Sequence, residues 1–126
     1  MQTYRQKYQQ KQGGLISWTC NVDFAIPFNA TSDADKAAAE RRLAFMFGWF
    51  YDPLFFGKYP DEMTSAIKDG RLPTFTPEEI QMVKGSFDFI GMNHYTTNYY
   101  KDDPTNPGGG WFTDQKNIAT PYGPDG

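Results

Sequence analysis

The side chains able to do nucleophilic or acid–base chemistry are few in kind. There is one histidine, His94, and one cysteine, Cys20. A Ser-His-Asp or Cys-His arrangement therefore has little to build from, and a Cys-rich zinc site and an internal disulfide are excluded. Cys20 lies in the apolar run Leu15-Ile16-Ser17-Trp18-Thr19-Cys20, where a small buried hydrophobe is its expected role. Carboxylates are plentiful, at 15 Asp and Glu, and two of them flanking a bond can supply acid, base and nucleophile. The pattern marks out no such pair. Asp61, Glu62, Glu78 and Glu79 read as first-turn residues, where negative charge meets the positive end of a helix. Asp23, near the end of an apolar run, reads as a structural hydrogen-bonding group. Aromatics are the other resource: 11 Phe, 8 Tyr and 3 Trp make 17% of the chain. Such rings fill cores and also stack on sugar and base rings.

Charge narrows the partners. With 12 basic against 15 acidic groups and a net charge of −3, the chain lacks the clustered Lys and Arg of a nucleic-acid footprint. Arg5, Lys7 and Lys11, spaced by Gln and Tyr, read as a solvated helix face. The composition calls for no metal and no cofactor. The first residues, Met1-Gln2-Thr3-Tyr4-Arg5, contain no apolar core and do not read as a signal peptide. No run of about 18 apolar residues is present, so no membrane-spanning helix is expected. Asn29-Ala30-Thr31 fits a glycosylation sequon, which leaves the compartment open.

The elements that position these groups can be read in order. Polar residues from Tyr4 to Gln12 suit a helix end, stopped by Gly13-Gly14. Leu15 to Phe24 is a nearly continuous apolar run bounded by Gly-Gly and Pro27, as in a strand covered on both faces of a parallel sheet. Ser32 can cap a helix, with Asp35 placed to complete a capping box. Leu43, Met46, Phe47 and Phe50 follow at i, i+3, i+4 and i+7 as one apolar stripe, and Asp52-Pro53 should end that pattern. A second helix is expected from Pro60, with Lys68 in its last turn and Gly70 after it. A third opens at Thr76-Pro77-Glu78-Glu79 with a capping box and stops at Gly85. Phe87 to Tyr95 reads as a second buried strand. Nine of the last 23 residues are Gly or Pro, so residues 104–126 are expected to be loop, after a βαβ portion over residues 1–103. Two parallel strands alone leave edges and faces uncovered, which predicts a piece of a larger sheet.

Several segments of this chain resemble glycoside hydrolase family 1, the β-glucosidase type. They are Gly48-Trp49-Phe50-Tyr51-Asp52-Pro53 with Gly57-Lys58-Tyr59-Pro60, and Lys84-Gly85-Ser86-Phe87-Asp88-Phe89-Ile90-Gly91-Met92-Asn93-His94-Tyr95-Thr96. Gln12-Gly13-Gly14 and Thr19-Cys20-Asn21-Val22-Asp23 add to them. They stand in the family's order and spacing over roughly residues 4 to 100. The resemblance implies an α/β fold: part of a (β/α)8 TIM barrel comprising strands five and six, the helices between them, and the loop after strand six. Such a barrel needs about 250 residues, so this chain is expected to depend on missing barrel segments.

The resemblance also implies a retaining glycosidase chemistry acting on a β-glucoside or related carbohydrate. The family's acid/base stands in an Asn-Glu-Pro motif and its nucleophile in Glu-Asn-Gly, and neither triplet occurs here. No catalytic residue is therefore assigned. Asn93 and Tyr95 match the family's Asn-x-Tyr at the end of strand six, where the tyrosine hydroxyl reaches the nucleophile carboxylate. Asn21 matches an asparagine at the end of strand five. Without the family match, Asn93 and Tyr95 could simply satisfy local backbone groups. His94 should face the other way, into packing. Trp49 and Phe50 are expected in the core. Trp111 and Tyr122, in the loop, could stack on a sugar or aglycone or merely anchor the loop. A non-catalytic carbohydrate-binding remnant is the alternative function.

Overall fold

In the computed structural model, which describes residues 1–126, the polar first segment forms two short helices, α1 (Gln2–Lys7) and α2 (Gln9–Gln12). They break at Tyr8, and Gly13 ends α2 in the left-handed region at φ 62°. The chain then enters strand β1 (Trp18–Pro27), which pairs in parallel with β2 (Ile90–Asp102). The parallel pairing expected from two near-continuous apolar runs is present, but both strands lie further along the chain than those runs. Leu15 stays outside β1 and is 71% exposed. The approach to both strands is instead fixed by Asp88: its carboxylate accepts the Ile16 N–H at 2.8 Å, and its own N–H reaches the Ile16 carbonyl at 3.1 Å. Arg5 closes this knot with an ion pair to Asp88 at 2.8 Å.

At the other end both strands run beyond the apolar segments. Ladder bonds and the burial of Ala25 and Tyr100 carry them on, and Pro27 is the last residue of β1 rather than a boundary beyond it. A register shift interrupts the ladder between Val22 and Phe24. Val22 lies opposite His94 and Phe24 opposite Thr97, so Asp23 faces both Tyr95 and Thr96. One extra residue on β2 makes this a β-bulge, which bends the strand and re-aims side chains. Early in the ladder, Thr19 lies opposite Gly91. A Cβ at position 91 would collide with Thr19 Oγ1, so glycine permits the close approach of the strands here.

Between the strands, α3 (Asp33–Leu43) is capped by Ser32, whose hydroxyl accepts the Asp35 N–H. The expected capping box is only half formed. The Asp35 carboxylate turns away from Ser32 and takes the backbone N–H groups of Asn29 and Asp102, both at 3.0 Å. It thereby ties the start of α3 to the end of β2. The next turn, Ala44–Gly48, is a π-helix. Its extra residue rotates everything downstream, so the expected stripe does not line up on one buried face. Phe45 and Tyr51 are buried, whereas Phe50 is 38% exposed. Pro53 does not end the helix: α4 (Trp49–Phe56) runs through it to Gly57 at φ 75°.

Helix α5 (Asp61–Ala66) stops a turn earlier than expected, at Ile67, leaving Lys68 outside it. In α6 (Pro77–Val83) the capping box is complete, Thr76 and Glu79 exchanging side-chain-to-backbone bonds at 2.8 and 3.2 Å. The stretch from residue 104 is not all loop. It contains a short helix α7 (Trp111–Asp114) and a strand β3 (Asn117–Thr120) antiparallel to β2. Gly and Pro punctuation concealed two short elements whose partners lie far away in sequence.

The sheet order is β1-β2-β3, and α3 packs against both parallel strands. Ala25, Ala39 and Tyr100 form a small core with Leu43 against it. Only 16 of 126 residues are buried, and Trp18, Phe24, Phe89, Met92 and Tyr95 on or beside the strands are all about half exposed or more. This is an unclosed α/β sheet with one layer of helices.

Candidate functional site

Asn21 and Asn93 sit opposite each other in the parallel ladder. The Asn93 amide Nδ2 donates to Asn21 Oδ1 at 3.2 Å. Side chains paired this way point to the same side of a sheet, and their neighbours point to the other. Val22, next to Asn21, is buried, and Trp18, of the same parity as Val22, meets Phe50 of the helix layer at 6.1 Å. The two asparagines therefore occupy the uncovered face, with the Asn21 NH2, the second Asn93 N–H and the Asn93 carbonyl still free for a ligand.

Tyr95 follows two residues later, at the bulge, and is 71% exposed. None of the three residues is at a strand end, where the family resemblance had put them. The ladder continues past the bulge to Asp102, and the bulge is the discontinuity that the sequence pattern had presented as an end. His94, opposite Val22, takes the other face as expected. It is exposed rather than packed, and its Nε2 lies 3.2 Å from Thr97 Oγ1.

Asp23 turns towards α3, where its carboxylate approaches Arg42 at 3.8 Å. Arg42 is 8% exposed. Its guanidinium lies 5.1 Å from the Trp111 ring centre and 5.8 Å from that of Tyr100, and donates to Gln115 Oε1 at 3.2 Å. Trp111 is thus a loop anchor seated on a buried cation. Tyr122 remains 69% exposed. Neighbouring Arg41 donates to the Gln115 and Lys116 carbonyls, both at 3.0 Å, and pairs with Asp102 at 2.5 Å. Nothing in the spacing of Arg41-Arg42 distinguished this brace from an ordinary charged helix face. The signal available in hindsight is an Arg pair preceding the apolar stripe and a tail carrying Trp111, able to receive it.

Charge elsewhere is arranged for structure. Arg71 holds the Asp114 carboxyl below the usual carboxylate range, and the Ile16 N–H followed by Arg5 does the same for Asp88. Asp52 moves the other way: burial, then the nearby Glu62, pushes it up. A raised carboxyl can mark an acid catalyst, but Asp52 belongs to α4 in the helix layer, away from the asparagine pair. Trp49 and Phe50 stack at 5.2 Å and, with Trp18, Tyr59 and Phe75, line an apolar hollow of about 420 Å³. Asn21, Asn93 and Tyr95 are not among its lining residues.

Residues 1–124 match the family model for glycosyl hydrolase family 1. Beta-glucosidase 16 of Arabidopsis thaliana is 51% identical over 104 residues, covering 82% of this chain and 20% of its own length. Oleuropein beta-glucosidase of Olea europaea is 47% identical over 104 residues, again 82% of this chain, but 18% of its own. Among solved structures, a β-glucosidase of family 1 from the fungus Humicola insolens, in complex with glucose, superposes with a TM-score of 0.89 at 42% identity. The superposition covers 99% of this chain and 26% of that one. A rice β-glucosidase gives 0.88 at 37% identity, covering 98% and 26%. The chain spans about a fifth of the length of the curated relatives it matches. Sequence motifs, parallel ladder and superposition agree: the chain belongs to glycosyl hydrolase family 1 and forms one βαβ stretch of that family's (β/α)8 barrel.

Proposed function

We propose that this stretch supplies part of the sugar-binding wall of a retaining β-glycosidase hydrolysing O-glycosyl bonds, and that residues 1–126 alone carry out no turnover. The observation that carries the reading is the Asn93–Asn21 bond across the ladder. It orients two amides on the open face, leaving N–H donors and an acceptor for sugar hydroxyls. Tyr95 adds a phenol beside them. In the complete barrel its hydroxyl would donate to the nucleophile carboxylate, fixing its orientation and lowering its proton affinity. Inactivity alone follows from the chemistry: retention needs two carboxyl groups about 5 to 5.5 Å apart across the bond. Asp23, beside this wall, has its carboxylate 3.8 Å from the Arg42 guanidinium. The missing barrel segments are then the partner, and a β-glucoside or related carbohydrate the substrate, of the assembled enzyme.

The exposure of Tyr95 and Tyr122 favours one second reading, a non-catalytic carbohydrate-binding unit. Both readings are tested on the purified chain, with an aryl β-glucoside for turnover and glucose or cellobiose titration for binding. No turnover and no saturable binding is the expected result. Saturable binding by a monodisperse sample would favour the second reading. Turnover that follows the protein through purification and is abolished by Asp23→Asn would overturn the first.

A further inference from the structure

Asn29 lies two residues beyond β1, in the loop before α3, and Asn29, Ala30 and Thr31 are all exposed. The other asparagines (21, 93, 98, 106 and 117) lack Ser or Thr two positions on, so this is the chain's one Asn-x-Ser/Thr triplet. Neither Ala30 nor Ser32 is a proline, which would bar the triplet from use. The folded loop holds the triplet in a definite shape. Asn29 Oδ1 accepts two hydrogen bonds from Thr31, from its hydroxyl at 2.8 Å and its backbone N–H at 3.0 Å. The Asn29 backbone is fixed separately: its N–H donates to Asp35 Oδ2 at 3.0 Å, and its carbonyl accepts the Ser32 N–H at 3.0 Å. The side-chain carbonyl is thus engaged by the threonine, while the amide nitrogen Nδ2 makes no hydrogen bond to the chain.

We propose that Asn29 is an N-glycan acceptor when this chain passes through a secretory compartment. The donor class is a lipid-linked oligosaccharyl pyrophosphate. Nδ2 bonds to the anomeric carbon of the oligosaccharide, the bond from that carbon to the pyrophosphate oxygen breaks, and the lipid pyrophosphate leaves. Nδ2 gives up one proton, and nothing is oxidised or reduced. The glycan would stand on a loop pinned to α3 by Asp35. It would displace no buried group of the triplet, because Asn29, Ala30 and Thr31 are all exposed. A bulky, hydrated substituent is tolerated at such a surface position.

The test is to express residues 1–126 behind a cleavable secretion leader in yeast and to recover both the secreted and the compartment-retained chain. Peptide mapping before and after amidase release of the glycan reads occupancy at position 29. Occupancy is expected in the wild type and in Thr31→Ser, and its loss in Asn29→Gln and Thr31→Ala. The same chain made without the leader provides the unmodified standard. Wild-type chain that has entered the compartment yet is unmodified at Asn29 in both fractions overturns the proposal. A glycan that persists in Thr31→Ala overturns it equally.

Discussion

Arg71 and Asp114, far apart in sequence, meet in a two-pronged ion pair, with Nη1 2.9 Å from Oδ2 and Nη2 3.1 Å from Oδ1. The pair joins the connection between α5 and α6 to the end of α7, within the C-terminal segment. The Asp114 side chain is 3% exposed, and the same carboxylate also takes the Gly109 N–H at 2.8 Å. Bidentate geometry and burial set this pair apart from surface pairs such as Lys36–Asp33, whose aspartate side chain is 96% exposed.

Removing Arg71 should therefore loosen residues 104–126 before anything else. Arg71→Ala leaves a buried carboxylate without its cation, the costly way to break such a pair. The expected result is faster cleavage by a protease within this segment and loss of exchange protection at Gly109. Lys36→Ala, as the control, should change stability by no more than about 0.5 kcal/mol. Equal sensitivity of the two variants would show that the Arg71–Asp114 pair carries no structural burden.

Acid should act at the same place and at one other. Asp114 and Asp88 both have their folded pKa depressed, by Arg71 in one case and by the Ile16 N–H and Arg5 in the other. A depressed carboxyl binds fewer protons folded than unfolded, so its contribution is complete above the unfolded value of about 4 and disappears as pH falls through the folded value. Lowering the pH below about 4 should release the strand approaches at Ile16 and the C-terminal segment together, as read by amide exchange. Asp114→Asn should remove the acid sensitivity of the C-terminal segment and leave that of Ile16 intact. Identical acid profiles at both places in Asp114→Asn would refute the assignment.

Tyr95 and His94 should separate rate from stability in a complete family 1 barrel carrying this stretch. Tyr95→Phe keeps the ring and loses the hydroxyl. A hydrogen bond to a charged group contributes about 1.5 to 3 kcal/mol, so kcat/KM should drop roughly ten- to a hundred-fold with Tm nearly unchanged. His94→Phe, on the face that carries Val22, should alter Tm more than rate. A rate within a factor of two of wild type for Tyr95→Phe, with His94→Phe abolishing activity in a folded protein, would reverse the facing of this strand.

The order of elements was legible because it rests on features that act locally. The two apolar runs announced parallel strands, Thr76 and Glu79 announced α6, and Gly13 and Gly85, read as helix stops, sit in the left-handed region. The rest depended on what lies across the fold. A π turn at Ala44–Gly48 changes the helix phase by one residue, yet the Leu43–Phe50 pattern looks helical with or without it. Asp35 had two acceptor oxygens and a plausible local use, and only the approach of Asp102 diverted it from Ser32. The extension of β2 through Thr97-Asn98-Tyr99-Tyr100 mixes polar and aromatic residues, and it is held by β1 along its length and, at Tyr99 and Tyr100, by β3, a strand whose own four residues carry little signal. Asn21, Asn93 and Tyr95 were legible only as a match to family motifs. The meeting of Asn21 and Asn93 across the ladder required knowing that Trp18 pairs with Ile90.

The bulge opposite Asp23 also divides the sheet into two links joined in series. Before it, Ile90 to His94 are paired on one side only, by β1; after it, Tyr99 and Tyr100 are paired on both sides, by β1 and by β3. Arg41 pairs with Asp102, Arg42 lies over Tyr100 and Asp35 takes the Asp102 N–H, so all three fasten to this second link, while Arg42 also reaches Asp23 at the bulge itself. Cooperativity should therefore break at the bulge. Denaturant that frees the first link need not reach the second, so the last ordered remnant of the chain is the far half of β2 with α3 and β3 folded around it.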